Sequence, residues 1–328
     1  MTNLQPKTLQ EAMHYFSNPE NCVRWLVAKR WPDGVVTCPT CGRTDATLIS
    51  DQAKFRCKSA HKSREFSAKV GTIFEDSHIP LEKWLVVVWM VCNCKNGVSS
   101  WEIKRTVGVT QKSAWFMLHR IRLGLSTKRS FGAPSKLGGP ESEVECDEAW
   151  VGGRASNMHK ERRARYQTAD TNWGKVIVMG MLDRTARQIR TEIVPNVDRD
   201  TLQAQVLNNI KYGTRVYTDQ SSSYSQLGRT YMHRFVNHTE KYVEGRVHTN
   251  GLENFWSLFK RNLRGTYVSV EPFHMFRYLD EQVFRFNHRG SKKVPVSDLD
   301  RFDRALSQVV GKRLTYSELT GKDDATPF

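Results

Sequence analysis

The sequence predicts an α/β protein in which a mixed-sheet domain, residues 143–290, follows a cysteine-bearing segment and a helical segment. Three observations predict it. Cysteines at Cys38 and Cys41 have the spacing of a metal-binding knuckle. Between Pro80 and Leu125 apolar residues recur at three- and four-residue spacing, the period of helices on a core. From Val144 onward short apolar runs with period two appear, first three in succession and then alternating with helical segments.

A chain of 328 residues suggests about two domains, and 39% apolar residues suffice for a core, which excludes global disorder. The net charge of +16 calls for a polyanionic partner, and nucleic acid fits better than an acidic membrane surface. The longest apolar run, Trp84 to Cys92, is far too short to span a bilayer, and Met1 to Pro6 has no signal-peptide character. A soluble, cytoplasmic protein is expected, with no membrane partner. Seven cysteines, an odd number, argue against a disulfide framework. Cys22, Cys92, Cys94 and Cys146 read as small buried hydrophobes.

Leu4 to Trp31 reads as helical, with Ala12, Phe16, Cys22, Trp25 and Leu26 on the core side. It ends at the turn Trp31-Pro32-Asp33-Gly34. Cys38-Pro39-Thr40-Cys41-Gly42 then offers two thiolates from one tight loop. Cys57-Lys58-Ser59-Ala60-His61 supplies the second half. Three thiolates and an imidazole form the closed tetrahedral set of one structural Zn2+, with no open position for chemistry. This N-terminal helix and zinc ribbon take residues 1–79.

In residues 80–125, Trp84, Val87, Val88, Val91 and Cys92 mark one buried helix. Ser99 and Glu102 have capping-box spacing for a second, which ends near Gly108. Thr110 caps a third, running through Trp115, Leu118 and Ile121. Two short helices across a glycine-containing turn fit a helix-turn-helix, with Gln111, Lys112, Ser113, His119 and Arg120 on its second helix as candidate DNA contacts. Residues 126–142, rich in Ser, Gly, Pro and Lys, read as a linker.

The mixed-sheet domain begins with Val144 to Gly153, strand-like and acidic. Alternation sets Glu145 and Asp147 on one face and Glu148 on the other. A basic insertion carrying Arg162 and Arg163 reads as a loop within reach of DNA. Lys175 to Leu182 and Arg187 to Val194 form a hairpin across Asp183-Arg184. A helix over Asp200 to Ile210 leads to the strand Thr214 to Asp219, and Tyr231 to Val236 supplies a fifth strand. Three strands in a meander, then alternating helix and strand, is the order of a ribonuclease H-like mixed sheet. Residues 291–328 remain as a C-terminal tail.

His248 to Arg261 closes the domain as an amphipathic helix with Leu252, Phe255, Trp256 and Phe259 in one stripe. Glu253 and Lys260, nearly two turns apart, project from nearly the same face roughly 10 Å apart. Alone they suit a solvated edge. Asp147 and Asp219 change the weighing, because two strand-borne aspartates and a helical glutamate can converge at one edge of such a sheet. Hard divalent cations take oxygen ligands, and two held about 4 Å apart can activate an attacking oxygen and stabilise a leaving one. Carboxylates that repel one another have a reason to cluster in a basic chain if cations and DNA phosphates meet there. Lys260 would face a phosphate, with Arg261 beside it as a further DNA contact.

The blocks Glu145-Cys146-Asp147-Glu148-Ala149-Trp150-Val151-Gly152-Gly153, Tyr217-Thr218-Asp219 and His248-Thr249-Asn250-Gly251-Leu252-Glu253-Asn254-Phe255-Trp256 resemble the catalytic blocks of bacterial insertion-sequence transposases of the DDE class. The similarity points to the branch with an N-terminal zinc ribbon and helix-turn-helix. It extends through Trp31-Pro32-Asp33-Gly34, Gly71-Thr72-Ile73-Phe74, Val109 to Trp115, Gly265 to Ser269 and Arg277 to Asn287. The resemblance implies Asp147 and Asp219 as the catalytic aspartates and Glu253 as the third acid, because Lys260 follows at the usual offset. Asn250, one turn earlier, is the alternative third position. It further implies two Mg2+ (or Mn2+) ions, double-stranded DNA of the terminal inverted repeats and of the target, and at least a dimer on nucleoid DNA. Glu145 and Glu148 read as supporting acids, and His248 as a residue of the helix start. A nuclease that cuts without joining and a non-catalytic zinc-dependent DNA-binding regulator are the competing readings.

Overall fold

The Ser17-Asn18-Pro19 break splits the N-terminal helical stretch in two, α1 (Leu9–Phe16) and α2 (Pro19–Arg30). Asn18 caps α2 by accepting from the Glu20 N–H, and Pro19 occupies the first turn, where its missing N–H costs nothing. Periodicity alone does not show this break, because Ala12, Phe16, Cys22 and Leu26 all remain buried across it. The computed structural model describes residues 5–50, 54–126, 135–152, 175–236 and 246–321. The chain divides into two units, Met1–Gly132 with His288–Phe328, and Ala133–Asn287.

In the first unit a three-stranded antiparallel sheet, β1 (Thr47–Ser50), β2 (Lys54–Arg56) and β3 (Glu65–Ser67), follows α2. Phe55 and Phe66 stand opposite each other in register and stack at 5.7 Å, with the Trp31 ring edge-on to Phe55 at 5.2 Å. These three rings are the ribbon's own apolar core. α3 (Leu81–Asn93) is buried continuously from Trp84 to Cys92, so it is the central helix of this unit. α4 (Ser100–Val107) opens with the Ser99/Glu102 capping box and stops at Gly108, whose φ of 64° suits glycine. α5 (Gln111–Leu125) starts from Thr110, whose hydroxyl accepts from the Ser113 N–H.

Among its described residues the second unit holds a five-stranded sheet and three α-helices. In chain order these are β4 (Glu143–Gly152), β5 (Lys175–Asp183), β6 (Gln188–Val194), α6 (Arg199–Asn209), β7 (Arg215–Asp219), β8 (Met232–Val236), α7 (Asn250–Asn262) and α8 (Met275–Asn287). Spatially the strands run β6-β5-β4-β7-β8. β4, β5 and β6 form an antiparallel meander, whereas β7 joins β4 in parallel and β8 joins β7 in parallel. The alternation of β4 divides the core. Val144 and Cys146 pack with Met179, Met181 and the α6 residues Leu202 and Val206. Ala149 and Val151 pack on the other face with Leu252, Phe255, Trp256 and Phe259 of α7 and Leu279 and Phe286 of α8. This is a ribonuclease H-like fold.

The C-terminal residues are folded into the first unit. α9 (Asp298–Ser307) inserts Phe302 against Phe16, Trp25 and Trp89, at centroid distances of 5.2, 5.5 and 5.2 Å, and Asp303 pairs with Lys29 at 2.6 Å. α10 (Tyr316–Thr320) buries Leu319 beside Leu123 and Leu314. The segment expected as a tail thus completes the helical core that residues 5–126 begin. Among the described residues no helix is long and apolar enough to cross a membrane.

Candidate active site and metal centre

The parallel register of β4 and β7 delivers the two aspartates. Glu145 stands opposite Tyr217, and two residues further along each strand come Asp147 and Asp219. Asp147 is half-buried, and its carboxyl is pushed up to about 6. Burial is the main cause, and the negative charges of Asp219 and Glu253 add to it, while a hydrogen bond from Trp256 opposes it. The three acids therefore share one electrostatic neighbourhood.

Helix α7 reaches that neighbourhood because glycines clear the way. Gly180 of β5 is the register partner of Asp147, and a Cβ there would stand 2.7 Å from Trp256 Cζ2 and 2.8 Å from Leu252 Cδ2. A Cβ on Gly251 would stand 2.4 Å from Leu182 Cδ2 and 2.8 Å from Glu145 Oε2. Two polar bonds then fix the helix. Trp256 Nε1–H donates to Asp147 Oδ2 at 3.0 Å, and the Leu252 N–H donates to Glu145 Oε2 at 2.9 Å. Thr249 at the helix start makes no side-chain cap, so Glu145 of the sheet satisfies a first-turn amide in its place.

At about 100° per residue, Glu253 and Lys260 lie roughly 60° and 40° around the helix from Trp256, on the side away from the Leu252–Phe255–Phe259 seam. Asn250 lies roughly 120° around by the same count. Glu253 and Asn250 are exposed and Lys260 is half-buried. Glu253 thus flanks the indole that touches Asp147, whereas Asn250 is turned further from the sheet.

Arg184, the residue after β5, organises the chain leading into the same end of α7. Its Nε donates to Glu145 Oε1 at 2.6 Å, Nη1 to the Arg246 carbonyl at 2.6 Å, and Nη2 to His248 Nδ1 at 2.8 Å and to the His248 carbonyl at 2.6 Å. The guanidinium also lies over the Tyr217 ring, 4.8 Å from its centroid. His248 is held below its ordinary range by burial and by the Arg184 charge, so its neutral ring accepts this bond at the helix start. Glu143 lies below the usual carboxylate range, through its hydrogen bond from Arg246 despite burial. Sequence reasoning did not single out Arg184. The available signal was Glu143 and Glu145 on one strand of a buried sheet, which need a cation at the adjoining turn. Glu148 faces the α6 side, where the Tyr224 hydroxyl donates to it. Burial, followed by the charges of Asp147 and Asp219, pushes it up to about 8.

In the ribbon, Cys38, Cys41, Cys57 and His61 present ligand atoms that all lie within 4.8 Å of one another. Cys38 Sγ is 3.5 Å from His61 Nε2, and Cys41 Sγ is 3.5 Å from Cys57 Sγ. A tetrahedral zinc with bonds near 2.3 Å sets its sulfur ligands roughly 3.8 Å apart, so the set fits a structural Zn2+. Burial alone raises the Cys38 thiol, but the backbone N–H groups of Cys41 and Thr40 outweigh it and bring it down to about 6, favouring the ligating thiolate. Gly42, at φ 74°, lets its N–H turn back to the Cys38 carbonyl at 2.9 Å. Among the described residues no other group of three or more ligands gathers this closely.

Residues 136–287 match the family model of the ISXO2-like transposase domain, and residues 17–63 match a transposase zinc-ribbon domain. Over 106 residues the chain is 33% identical to an uncharacterized transposase-like protein of Haemophilus influenzae, covering 85% of that relative and 32% of this chain. Over 286 residues it is 24% identical to an uncharacterized protein in transposable element ISH50 of Halobacterium salinarum, covering 93% of that relative and 82% of this chain. The chain belongs to the ISXO2-like transposase family. Its general class is that of enzymes that cleave and transfer DNA.

The transposase uses its second short helix differently from the helix-turn-helix expectation. Arg120, expected at DNA, is buried, and it donates to the backbone carbonyls of Leu314 at 3.0 Å, Ile73 at 3.1 Å and Glu75 at 2.6 Å. It lies on the same stripe as Met117 and Ile121, so its charge serves the core's loose carbonyls. His119 is fully buried. Gln111 donates to Ser100 Oγ at 2.9 Å, Ser113 shares a hydroxyl contact with Thr110, and Lys112 Nζ lies 4.6 Å from the Tyr316 ring centroid. Arg261 is exposed on α7. Arg162 and Arg163 lie outside the described residues.

Proposed function

We propose that this transposase binds the terminal inverted repeats of its own element and carries out two phosphoryl transfers at each end. In the first, water attacks a phosphodiester and releases a 3′-hydroxyl. In the second, that hydroxyl attacks a phosphodiester of target DNA, joining the strands and releasing a target 3′-hydroxyl. Asp147, Asp219 and Glu253 are oxygen donors suited to hold Mg2+, or Mn2+, and the ions would supply Lewis-acid stabilisation of the attacking and leaving oxygens. The observation that carries the reading is the parallel register of β4 and β7, which sets Asp147 and Asp219 two residues beyond the Glu145–Tyr217 pair, with the Trp256 indole of α7 on Asp147 at 3.0 Å.

Each side chain has a distinct part. Trp256 orients Asp147 through its indole N–H, and Glu145 and Arg184 hold the start of α7 so that Glu253 stays at the rim. Lys260 shares that rim and offers a cation to a DNA phosphate. Glu253 is favoured over Asn250 because a carboxylate binds a hard cation better than an amide and because it flanks Trp256. The ribbon and the helices after it would recognise the element ends, and joining two ends in one complex requires at least a dimer.

The test is Mg2+-dependent cleavage and joining on a labelled element end. Asp147→Ala and Asp219→Ala should abolish both steps, and activity surviving in either variant sinks the assignment. Glu253→Gln should abolish them while Asn250→Ala retains them; the reverse pattern moves the third position. Cleavage without joining would indicate a nuclease, and binding without cleavage a regulator.

A further inference from the structure

One concave site in the second unit is not used by the chemistry above. Across β4, β7 and β8 the register sets Glu143, Arg215 and Met232 in one row and Tyr217 and Arg234 in a parallel row two residues on, and two residues further β7 carries Asp219. Arg215, Tyr217 and Asp219 alternate onto the same face of β7. A pocket of about 400 Å³ opens over these rows, rimmed by Arg215, Arg234 and Arg246, floored by Tyr217 and Val247, with Glu143 in its wall.

The charge balance in this pocket is unequal. Glu143, the one acid of the lining, accepts from Arg246 at 2.9 Å and Arg184 at 3.4 Å and so is already offset. Arg215 and Arg234 have no carboxylate partner among the described residues, and Arg234 is exposed. Planar guanidiniums around a hollow are suited to a tetrahedral oxyanion, which they can grip by paired N–H groups. Arg215 lies four strand residues from Asp219, about 13 Å, which is the rise of roughly four base pairs of duplex. A strand whose backbone is seated here would run straight to the acids.

We propose that this pocket grips a phosphodiester of the DNA strand being processed, a few nucleotides from the reacting bond, and so fixes which bond lies over Asp147 and Asp219. This rests on the reading of those acids as the reaction centre. The grip is on the DNA backbone, so its removal weakens binding to all sequences alike.

The test uses the full chain and a fluorescein-labelled duplex of arbitrary sequence, without divalent cation, titrated between about 50 and 200 mM salt. Arg215→Ala with Arg234→Ala should reduce the slope of log affinity against log salt by about 2, one for each guanidinium removed. The double Lys variant should retain the slope yet cut an element end at displaced positions, because lysine keeps the charge and lacks the fork. Should the double Ala variant fail to fold, Arg234→Ala alone, at an exposed residue, should still reduce the slope by about 1. An unchanged slope, or a lysine variant that cuts at the wild-type bond, overturns the proposal. A wild type that binds with the expected slope but never cleaves overturns the reaction reading instead.

Discussion

Replacing Gly180 by alanine tests how closely the sheet and α7 must approach for the acids to work. The added Cβ would stand 2.7 Å from Trp256 Cζ2, where carbon atoms ordinarily sit about 3.5–4.0 Å apart, a deficit of about 0.8–1.3 Å. The indole cannot swing aside without losing its 3.0 Å bond to Asp147, and Leu252 is held by Glu145 through its N–H. The relief left is an outward shift of α7 by about 1 Å, carrying Glu253 and Lys260 with it. Overpacking of this kind costs about 1–3 kcal/mol. In a unit of Ala133–Asn287 that is a fall in Tm of roughly 2–12 °C, at about 2–4 °C per kcal/mol. A misplacement near 1 Å lowers the rate about 100-fold. Circular dichroism melting and single-turnover cleavage of a labelled element end measure the two effects. Adding Trp256→Phe removes the clashing carbon and the Asp147 bond together, so melting should recover while cleavage does not. Wild-type melting and wild-type cleavage in Gly180→Ala would refute the reasoning.

Three further outcomes follow from the same geometry. Arg184→Ala leaves the buried Glu145 without its cation and should cost about 3–5 kcal/mol in urea unfolding, whereas Arg184→Lys should recover part of it; a neutral Arg184→Ala would mean that Glu145 does not need the pair. Asp147 and Glu148 are raised from 3.8 and 4.5 to about 6 and about 8, so both favour the protonated form in the fold. Their contribution is complete below their ordinary values and is lost as pH rises through 6 and then 8. In chelator, Tm should fall from about pH 5 to pH 8, less steeply in Glu148→Gln, and Mg2+ should restore it at the alkaline end; a flat profile would contradict the raised Asp147 and Glu148 carboxyls. For the ribbon, elemental analysis should find one zinc per chain, lost in Cys57→Ser and weakened in His61→Ala, with local unfolding around Trp31 read by its fluorescence; a His61→Ala protein that keeps zinc at full affinity would remove His61 from the set.

How much of this molecule is legible in the chain depends on the range of the force involved. Local rules suffice for the strands of the sheet, for the Ser99/Glu102 box and for the knuckle at Cys38 to Gly42, because each is decided within a few residues. Alternation on β4 also foretells the division of labour among its acids, with Glu145 and Asp147 toward α7 and Glu148 toward α6. The break before α2 is readable too, from Asn18 and Pro19, but an unbroken apolar stripe hides it. Arg120 belongs with these, since its place on the Met117–Ile121 stripe outweighs the appeal of a basic side chain near a supposed DNA face. What local rules cannot supply is pairing at long range. Trp256 and Asp147 are 109 residues apart, and Arg184 and His248 are 64 apart. Whether those groups meet depends on strand register and on two missing Cβ atoms, at Gly180 and Gly251, and a pattern of residue types carries neither. Asp147, Asp219 and Glu253 can be proposed from the sequence, but the groups that contact Asp147 and Glu145 are visible only in the fold. Variation at Gly180, Arg184 and Trp256 should therefore perturb the reaction as strongly as many changes to groups that touch DNA.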